Sequence, residues 1–272
     1  MTEAALLEVE GLVCGYGKTE IVHGIDMDVR PGEFVCVIGA NGCGKSTLLK
    51  NVLGLDHPFS GSVRVNGELT AAMSDAERAR HFAYLPQEHT PPFPFTVGDV
   101  VLMGRTPHMD RWSHIEDEDR AIAWDALCLL GIEELAPRTY TELSGGQRQL
   151  VLIARCLAQQ PELIVMDEPT ASLDFGNQQI VLSRMRELTR GGLGVVMVTH
   201  DPHHAFLCAD RVFVMQAGRM IAVGTPREVM TAQRLYDVYG TKVDVLDVTL
   251  TDGGDATVCV PLWEERSAGK GA

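Results

Sequence analysis

The sequence lacks the two features that would place the chain in or across a membrane by itself. It contains no uninterrupted apolar run of the roughly 18 residues that a membrane-spanning helix needs. Its first residues, MTEAALLEVE, show no basic segment followed by an apolar stretch and a small-residue cleavage site. We therefore expect a cytoplasmic protein that does not cross a bilayer alone.

Basic residues are also scarce. The 272 residues include 23 Lys and Arg against 37 Asp and Glu, which gives a formal net charge of −14. A negatively charged surface opposes nonspecific attraction to nucleic-acid phosphates or anionic lipids. The sequence shows no local cluster of basic residues that would reverse this repulsion. The composition predicts that the protein has no nucleic-acid partner.

The seven cysteines are scattered and form no Cys-x-x-Cys pair, which excludes a disulfide framework and a zinc site of the usual spacing. The sequence likewise contains no internal repeat of 20 to 50 residues, which excludes a solenoid. What remains is the composition of an ordinary globular protein, with 45% hydrophobic and 22% charged residues.

Secondary-structure signals divide the chain into an α/β core and an insertion. The stretches LLEVEGLVCGYG, VHGIDMDVR and GEFVCVIG read as three strands in a mainly antiparallel region, and GSVRVNGEL reads as a hairpin that turns at Asn66-Gly67. From residue 162, apolar strands alternate with helices, which predicts a parallel sheet covered on both faces.

We expect the α/β core to comprise residues 1–87 and 142–272, interrupted by a helical subdomain at 88–141. KVDVLDVTL and ATVCVPLW predict a terminal hairpin.

The segment GANGCGKST, residues 39–47, follows a predicted strand and precedes a predicted helix, as a nucleotide phosphate-binding loop must. Gly42 and Gly44 allow backbone N–H groups to converge on phosphates, Lys45 reaches the β- and γ-oxygens, and Ser46 is a candidate Mg²⁺ ligand. The alternative is a glycine-rich turn that arose by chance.

Two later strands end in polar residues. LIVMDE ends in Asp167, a candidate Mg²⁺ ligand, and Glu168, a candidate general base for the attacking water. VMVTH ends in His200, which would sense the γ-phosphate and orient that water. Each has a simpler alternative, as a solvated strand end or a structural histidine, and we assign His203 and His204 to that structural class.

A second phosphate-binding signal lies at TELSGGQRQ. Ser144 is suited to cap a helix and to contact a γ-phosphate, and Gly145 and Gly146 permit close backbone approach. Taken by itself, the segment would be an ordinary serine-capped helix.

In order along the chain, GYG, GANGCGKST, YLPQ, LSGGQ, LIVMDEP, SLD and VTHD resemble the motifs of the nucleotide-binding subunits of ATP-binding-cassette (ABC) transporters. The resemblance covers nearly the whole length and implies the P-loop ABC cassette fold, ATP and Mg²⁺ as cofactors, and ATP hydrolysis. It also implies a head-to-tail homodimer in which each LSGGQ segment completes the other subunit's site. The ATP contacts that it implies are Tyr16 on adenine, Gly39, Asn41, Gly42, Cys43, Gly44, Lys45, Ser46, Thr47, Ser144, Gly145, Gly146, Gln147 and Asp174.

The same resemblance assigns Gln87 to Mg²⁺ and to coupling, and Asp174 to communication across the dimer. Cys43 occupies a variable position of the loop near a helix N-terminus, where thiolate is favoured. We therefore expect alkylation of Cys43 to inactivate the protein and ATP to protect it.

FTVGDVVLMGRTPHM, residues 95–109, and the tail from ADRVFVMQAGRM resemble cassettes of ferric siderophore, haem and cobalamin importers. This implies two membrane permease subunits that dock beside the Gln87 loop and the helical insertion. It also implies an indirect partner in a substrate-binding protein and a location on the cytoplasmic face of the membrane. The alternative for Arg105, Pro107 and His108 is a loop that merely ends a helix. Molybdate, tungstate or another metal complex remains open as cargo.

A soluble ABC ATPase of DNA repair or translation, and an export cassette, are the alternatives. The first usually carries paired cassettes or long coiled-coil arms and benefits from a basic surface, and the second is usually fused to its membrane domain. Neighbouring genes for a permease and a binding protein would favour import.

Overall fold

The computed structural model describes residues 4–87, 94–109, 114–251 and 253–262. Its strands are β1 (Leu7–Tyr16), β2 (Thr19–Val29), β3 (Phe34–Ile38), β4 (Ser60–Val65), β5 (Glu68–Leu69), β6 (Phe82–Leu85), β7 (Leu163–Asp167), β8 (Gly194–Thr199), β9 (Arg211–Gln216), β10 (Arg219–Gly224), β11 (Val243–Thr249) and β12 (Asp255–Pro261). Its α-helices are α1 (Lys45–Val52), α2 (Asp75–His81), α3 (Val97–Leu102), α4 (Asp117–Leu129), α5 (Gly145–Ala158), α6 (Phe175–Thr189), α7 (Pro202–Cys208), α8 (Pro226–Val229) and α9 (Ala232–Tyr239).

The central sheet has the order β10-β9-β3-β8-β7-β6, and its strands run parallel except for β10, which is antiparallel to β9. The neighbours β3, β8, β7 and β6 therefore end at the same edge. The loops that follow them carry the phosphate-binding loop, His200, the Asp167-Glu168 pair and Gln87. This shared edge is the reason that residues far apart in sequence meet at one site.

A separate antiparallel sheet has the order β2-β1-β4-β5. The predicted hairpin at β4 and β5 is present, and Asn66 and Gly67 at its turn have φ values of 50° and 80°, as a type I′ turn requires. The prediction that GEFVCVIG belongs to this antiparallel region was wrong, because β3 pairs in parallel with β8 and β9. Its five residues are all buried, which is typical of a central parallel strand rather than of a strand with one solvated face.

Alternate residues of the central strands enter two different apolar cores. Phe34, Cys36 and Ile38 of β3 pack into a cluster with helices α3 to α7, whereas Val35 and Val37 pack into a cluster with α1 and the antiparallel sheet. Both faces of the parallel sheet are thus covered, which confirms the expectation from its continuous apolar strands.

The helical insertion contains α3, a 3₁₀ helix over Met103–His108, and α4, and both α-helices pack against α5. Residues 88–93 and 110–113 of the insertion lie outside the described residues. Because α5 contacts the insertion on one side and β6 on the other, the boundary between residues 141 and 142 stays a prediction.

The predicted GRTPH segment forms the 3₁₀ helix that terminates α3. Arg105 is buried, and its guanidinium lies 3.0 Å from Asp119 and donates hydrogen bonds of 2.9 Å to the Ala158 carbonyl and to the Gln160 side chain. The segment therefore joins the start of α4 to the C-terminal end of α5.

The predicted terminal hairpin is present as β11 and β12, paired from Val243 with Pro261 to Thr249 with Asp255. It packs against α7 and α9, and Val243, Val245 and Cys259 contact the larger apolar core.

Candidate nucleotide site

The loop between β3 and α1 owes its shape to glycine. Gly42 and Gly44 have φ values of 77° and 107°, in the region that glycine favours. A Cβ atom at Gly39 would lie 2.3 Å from the Met215 carbonyl oxygen, so only glycine fits against the end of β9 there. The loop consequently turns sharply and directs the N-terminus of α1 at the sheet edge.

Lys45 lies inside the curve of this loop. The side chain is buried, and its Nζ atom donates hydrogen bonds to the carbonyls of Gly39 at 2.7 Å and Ala40 at 3.1 Å. The ammonium group is thus held among backbone groups at a helix N-terminus, the arrangement that favours a bound phosphate.

Asp167, the last residue of β7, contacts Ser46 at the start of α1. The Asp167 carboxylate is buried and forms a hydrogen bond with the Ser46 hydroxyl. Burial raises the pKa of Asp167, Glu168 raises it further, and Ser46 and Lys45 act against the rise. Mg²⁺ prefers oxygen ligands of this kind, so the donor chemistry of Ser46 and Asp167 fits the ion.

In the part of the chain that the structure describes, no three His, Cys, Asp or Glu side chains are arranged to hold a metal ion. A site with one carboxylate and one hydroxyl instead suits an ion whose remaining ligands are water and nucleotide phosphates.

Three loops converge on the Glu168 side chain. Its Oε2 atom accepts a hydrogen bond of 3.0 Å from Gln87 Nε2, and its Oε1 atom lies 3.1 Å from His200 Nδ1. The backbone of Glu168 has a φ of 51°, which is uncommon for a residue with a side chain, and its N–H donates to the Val198 carbonyl at 3.0 Å. This geometry directs the carboxylate across the sheet edge towards His200 instead of along the strand.

The glycine loop, Gln87, Glu168 and His200 border a cavity of about 490 Å³, a size suited to a nucleotide. Its lining residues are Ile21, Asn41, Gly42, Gly44, Lys45, Ser46, Thr47, Gln87, Glu168 and His200. Nine of these ten were predicted as site residues. Ile21 was not, because an apolar residue in a strand carries no signal that separates a cavity wall from a core position.

Cys43 departs from its prediction. The thiol is buried in the core beside the loop, and burial raises its pKa, although Lys45 and two backbone N–H groups act in the opposite direction. The expectation that thiolate is favoured at this position was therefore wrong, because the desolvation of the buried thiol outweighs the N–H groups at the start of α1 and the charge of Lys45.

Tyr16 ends β1 at the rim of the site. Its ring is 49% exposed, and its hydroxyl lies 3.5 Å from Oγ1 of Thr47, which lines the cavity. An exposed aromatic ring at this rim is suited to stack on a base, and its contact with adenine stays a prediction.

The LSGGQ segment opens α5 through a capping box. Gln147 N–H donates to Ser144 Oγ at 3.3 Å, and Ser144 N–H donates to Gln147 Oε1 at 3.1 Å. Gly146 lies against the chain after β7, where an added Cβ would stand 3.4 Å from the Ser172 carbonyl. Asp174 caps α6 by accepting the Asn177 N–H at 2.8 Å.

None of residues 144–147 and 174 lines the cavity of this copy. The two predicted phosphate-binding segments therefore do not line one common cavity within this chain. Together, the glycine loop at the end of a central parallel strand and the carboxylates on the neighbouring strands define a P-loop nucleotide-binding protein.

Comparison with known proteins identifies the family. The ABC transporter family model matches residues 22–171, and the chain belongs to that family. The chain is 42% identical over 234 residues to a hemin import ATP-binding protein of Thermobifida fusca, with 85% of this chain and 81% of that protein covered. It is 36% identical over 249 residues to the ferric enterobactin transport ATP-binding protein of Escherichia coli K12, with 91% and 92% covered.

The fold matches that of solved family members as well. A metal-chelate type ABC transporter in an inward-facing conformation superimposes with a TM-score of 0.85 at 33% identity, covering 96% of this chain and 99% of that one. Members of the family bind ATP and hydrolyse it to power transport, which confirms the predicted fold class and enzymatic activity. Every helix that the structure describes is too short or too polar to traverse a lipid bilayer.

Proposed function

We propose that the protein is the ATPase subunit of an importer for an iron chelate, of the hemin or ferric siderophore class. The main observation that supports ATPase activity is that Gln87 and His200 both contact Glu168 in the cavity beside the glycine loop. The similarity to relatives named for hemin import and ferric enterobactin transport supports the cargo class. Because this cavity suits a nucleotide, the cargo is selected elsewhere, by membrane and binding-protein partners.

We assign a part of the proposed reaction to each element of the site. The loop N–H groups, Lys45 and Thr47 bind the triphosphate, and Ser46 and Asp167 hold Mg²⁺, which neutralises phosphate charge when bound. Glu168 accepts the proton of the attacking water, while His200 keeps the carboxylate and the water aligned. Gln87 reports the state of the site to the transporter, because it contacts Glu168 and lies at the start of the loop after β6.

We infer a head-to-tail dimer from the position of the second phosphate-binding segment. Ser144 and the two glycines after it form a helix N-terminus of the kind that binds phosphate, yet they lie outside the cavity of their own subunit. A second copy would place this segment over the first copy's Lys45 loop and complete two sites.

A mixing experiment tests the dimer. Lys45→Ala removes the ammonium group from one half-site, and Ser144→Arg blocks the other half-site, so each purified variant should be inactive. Equal mixtures should regain turnover, because a mixed dimer contains one site with both halves intact. Mixtures that remain as inactive as the separate variants would contradict the shared site.

A surface groove beside β6 is the proposed contact for a permease helix at the cytoplasmic face of the membrane. The groove has a volume of about 420 Å³, Leu55 at its rim is 61% exposed, and β6 in its wall ends just before Gln87. We expect Leu55→Arg to abolish copurification with the permease, while Leu207→Arg, at an exposed apolar position of α7, should not. Normal copurification of Leu55→Arg would place the partner elsewhere.

The cargo is tested with the reconstituted transporter. ATP-dependent uptake of hemin, a ferric siderophore, cobalamin and molybdate into proteoliposomes should be measured side by side with the Glu168→Gln complex as the inactive control. Uptake of an iron chelate supports the proposal. Uptake of molybdate alone, or ATPase activity that never depends on a membrane partner, would overturn it.

A further inference from the structure

The buried ring of His204 connects the two strand ends that carry Glu168 and His200. His204 lies in α7 and is only 6% exposed. Its Nδ1 atom stands 3.3 Å from Oγ1 of Thr199 and 3.4 Å from Oγ1 of Thr170. Both threonines are themselves buried, so this polar contact is shielded from water.

The two threonines flank the proposed catalytic pair. Thr199 directly precedes His200, and Thr170 follows Glu168 by two residues. Glu168 has a φ of 51°, a conformation that is unfavourable for a residue with a side chain and persists only where the surroundings enforce it. The hydrogen bond from the Glu168 N–H to Val198 is one constraint, and the bridge through His204 is a second.

The surroundings of His204 define its tautomer. Nε2 faces Oδ2 of Asp201 at 3.6 Å, and a carboxylate only accepts hydrogen bonds, so the proton of the neutral ring belongs on Nε2. Nδ1 is then an acceptor for the threonine hydroxyls. Burial lowers the pKa of His204, and the nearby His203 and His200 lower it further, while Asp201 opposes them. The neutral ring is therefore the form that the fold favours.

Two hydrogen bonds with neighbouring residues hold Asp201 in place. Its N–H donates to Thr199 Oγ1 at 3.0 Å, and its Oδ1 accepts the His203 N–H at 2.8 Å. The segment after β8, the start of α7 and the turn after β7 thus form one hydrogen-bonded unit with His204 at its centre.

We propose that His204 is a positioning residue for ATP hydrolysis, which sets the separation of Glu168 and His200 by joining Thr170 to Thr199 through Nδ1. The proposal rests on the roles of Glu168 and His200 given above. His204 does not line the nucleotide cavity, so its effect is on the alignment of the attacking water and not on ATP binding.

Three substitutions separate this role from simple packing. His204→Asn places an amide at the position of Nδ1 and keeps the contact with the threonines, whereas His204→Gln places its amide nearer the position of Nε2 and keeps only the contact with Asp201. His204→Leu keeps bulk and loses both contacts. His203→Asn, a change at the adjacent residue of the same helix, is the matched control.

Steady-state ATPase kinetics and thermal unfolding should be measured for all four proteins. We expect kcat to fall about tenfold to 100-fold in the Leu and Gln variants, with KM for ATP within about twofold of wild type. The Asn variant should recover most of kcat, and the His203 control should match wild type. Equal kcat in the Asn and Leu variants, or a rise in KM without loss of kcat, would overturn the proposal.

Isosteric changes at the threonines provide a second test if the Leu variant does not fold. Thr170→Val and Thr199→Val remove the two hydroxyls and preserve shape, and the double variant should reproduce the loss of kcat at unchanged KM. Wild-type kcat in the double variant would disprove the bridge. A wild-type protein that does not hydrolyse ATP would instead refute the proposed function, so the two failures are distinguishable.

Discussion

The Oε1 atom of Glu168 lies 3.1 Å from Nδ1 of His200, although the two residues belong to different strand ends. The carboxylate is mostly shielded, with 13% of the side chain exposed, while the imidazole is 56% exposed and faces the nucleotide cavity. This arrangement gives the carboxylate a fixed direction and leaves the imidazole accessible to a phosphate. It is the geometry that a general base and its orienting partner require.

Glu168→Gln should abolish hydrolysis and preserve ATP binding. The amide keeps the shape of the side chain and a contact with His200 but does not accept a proton, so turnover should fall at least about 100-fold. ATP affinity, measured by equilibrium titration, should stay near that of wild type. Glu162→Gln, at a glutamate on the opposite edge of the sheet, should hydrolyse normally. Near-wild-type turnover of the Glu168 variant would remove this residue from its role.

Alkylation should reach Cys128 well before Cys43. Cys128 is exposed on α4, whereas the Cys43 thiol is buried. The pKa of both thiols is raised, by burial at Cys43 and by desolvation and nearby carboxylates at Cys128, so access of the reagent decides the order of labelling. Peptide mass spectrometry after timed exposure to iodoacetamide measures both rates in one sample. ATP should change the Cys43 rate only slightly, because burial already limits it. Faster labelling of Cys43 than of Cys128 would restore the reactive-thiol interpretation.

Arg105→Met should destabilise the helical region that carries the LSGGQ helix. The buried guanidinium pairs with the partly buried Asp119 and binds the last carbonyl of α5, so its removal leaves the carboxylate and the carbonyl without their partner. We expect a loss of about 3 kcal/mol in the free energy of unfolding. Arg184→Met breaks an exposed pair with Glu187 and should cost less than about 1 kcal/mol. Equal urea midpoints for the two variants would contradict the structural role of Arg105.

The pair of Arg186 and Asp210 should make stability depend on acid pH. Burial alone would raise the pKa of Asp210, but hydrogen bonds from Arg186 and from the Phe34 N–H outweigh it and lower the pKa below 3.8. A carboxyl whose pKa is lower in the folded state stabilises the fold above its unfolded pKa and loses that contribution as pH falls through its folded pKa.

Asp210→Asn should therefore reduce the free energy of unfolding by about 1 kcal/mol at pH 7, because the pair is about one-third exposed and partly screened. The difference from wild type should shrink as the pH is lowered through and below 3.8. Urea unfolding at pH 7, 5 and 3 provides the comparison. A difference that stays constant over this range would show that ionisation of Asp210 contributes nothing.

The local chemistry of this chain could be inferred from short stretches of its amino-acid sequence. The spacing of glycines in GANGCGKST predicts a tight loop before a helix, because glycine favours the positive φ values found at Gly42 and Gly44. Unbroken apolar strands predict a buried parallel sheet, and Asp167, Glu168 and His200 at their ends predict a ligand site at the sheet edge. These features depend on residues that are neighbours along the chain, and the sequence alone therefore predicts them.

Features that depend on contacts between distant segments required the folded structure. β3 was assigned to the wrong sheet because its pairing with β8 and β9, more than 150 residues away, is set by the fold. The direction of the Cys43 side chain, the role of Arg105 at the end of α5 and the place of His204 between two threonines depend on packing across the fold. A pKa or a bridging contact is a property of the surroundings of a side chain, and those surroundings come from segments that the local sequence does not contain.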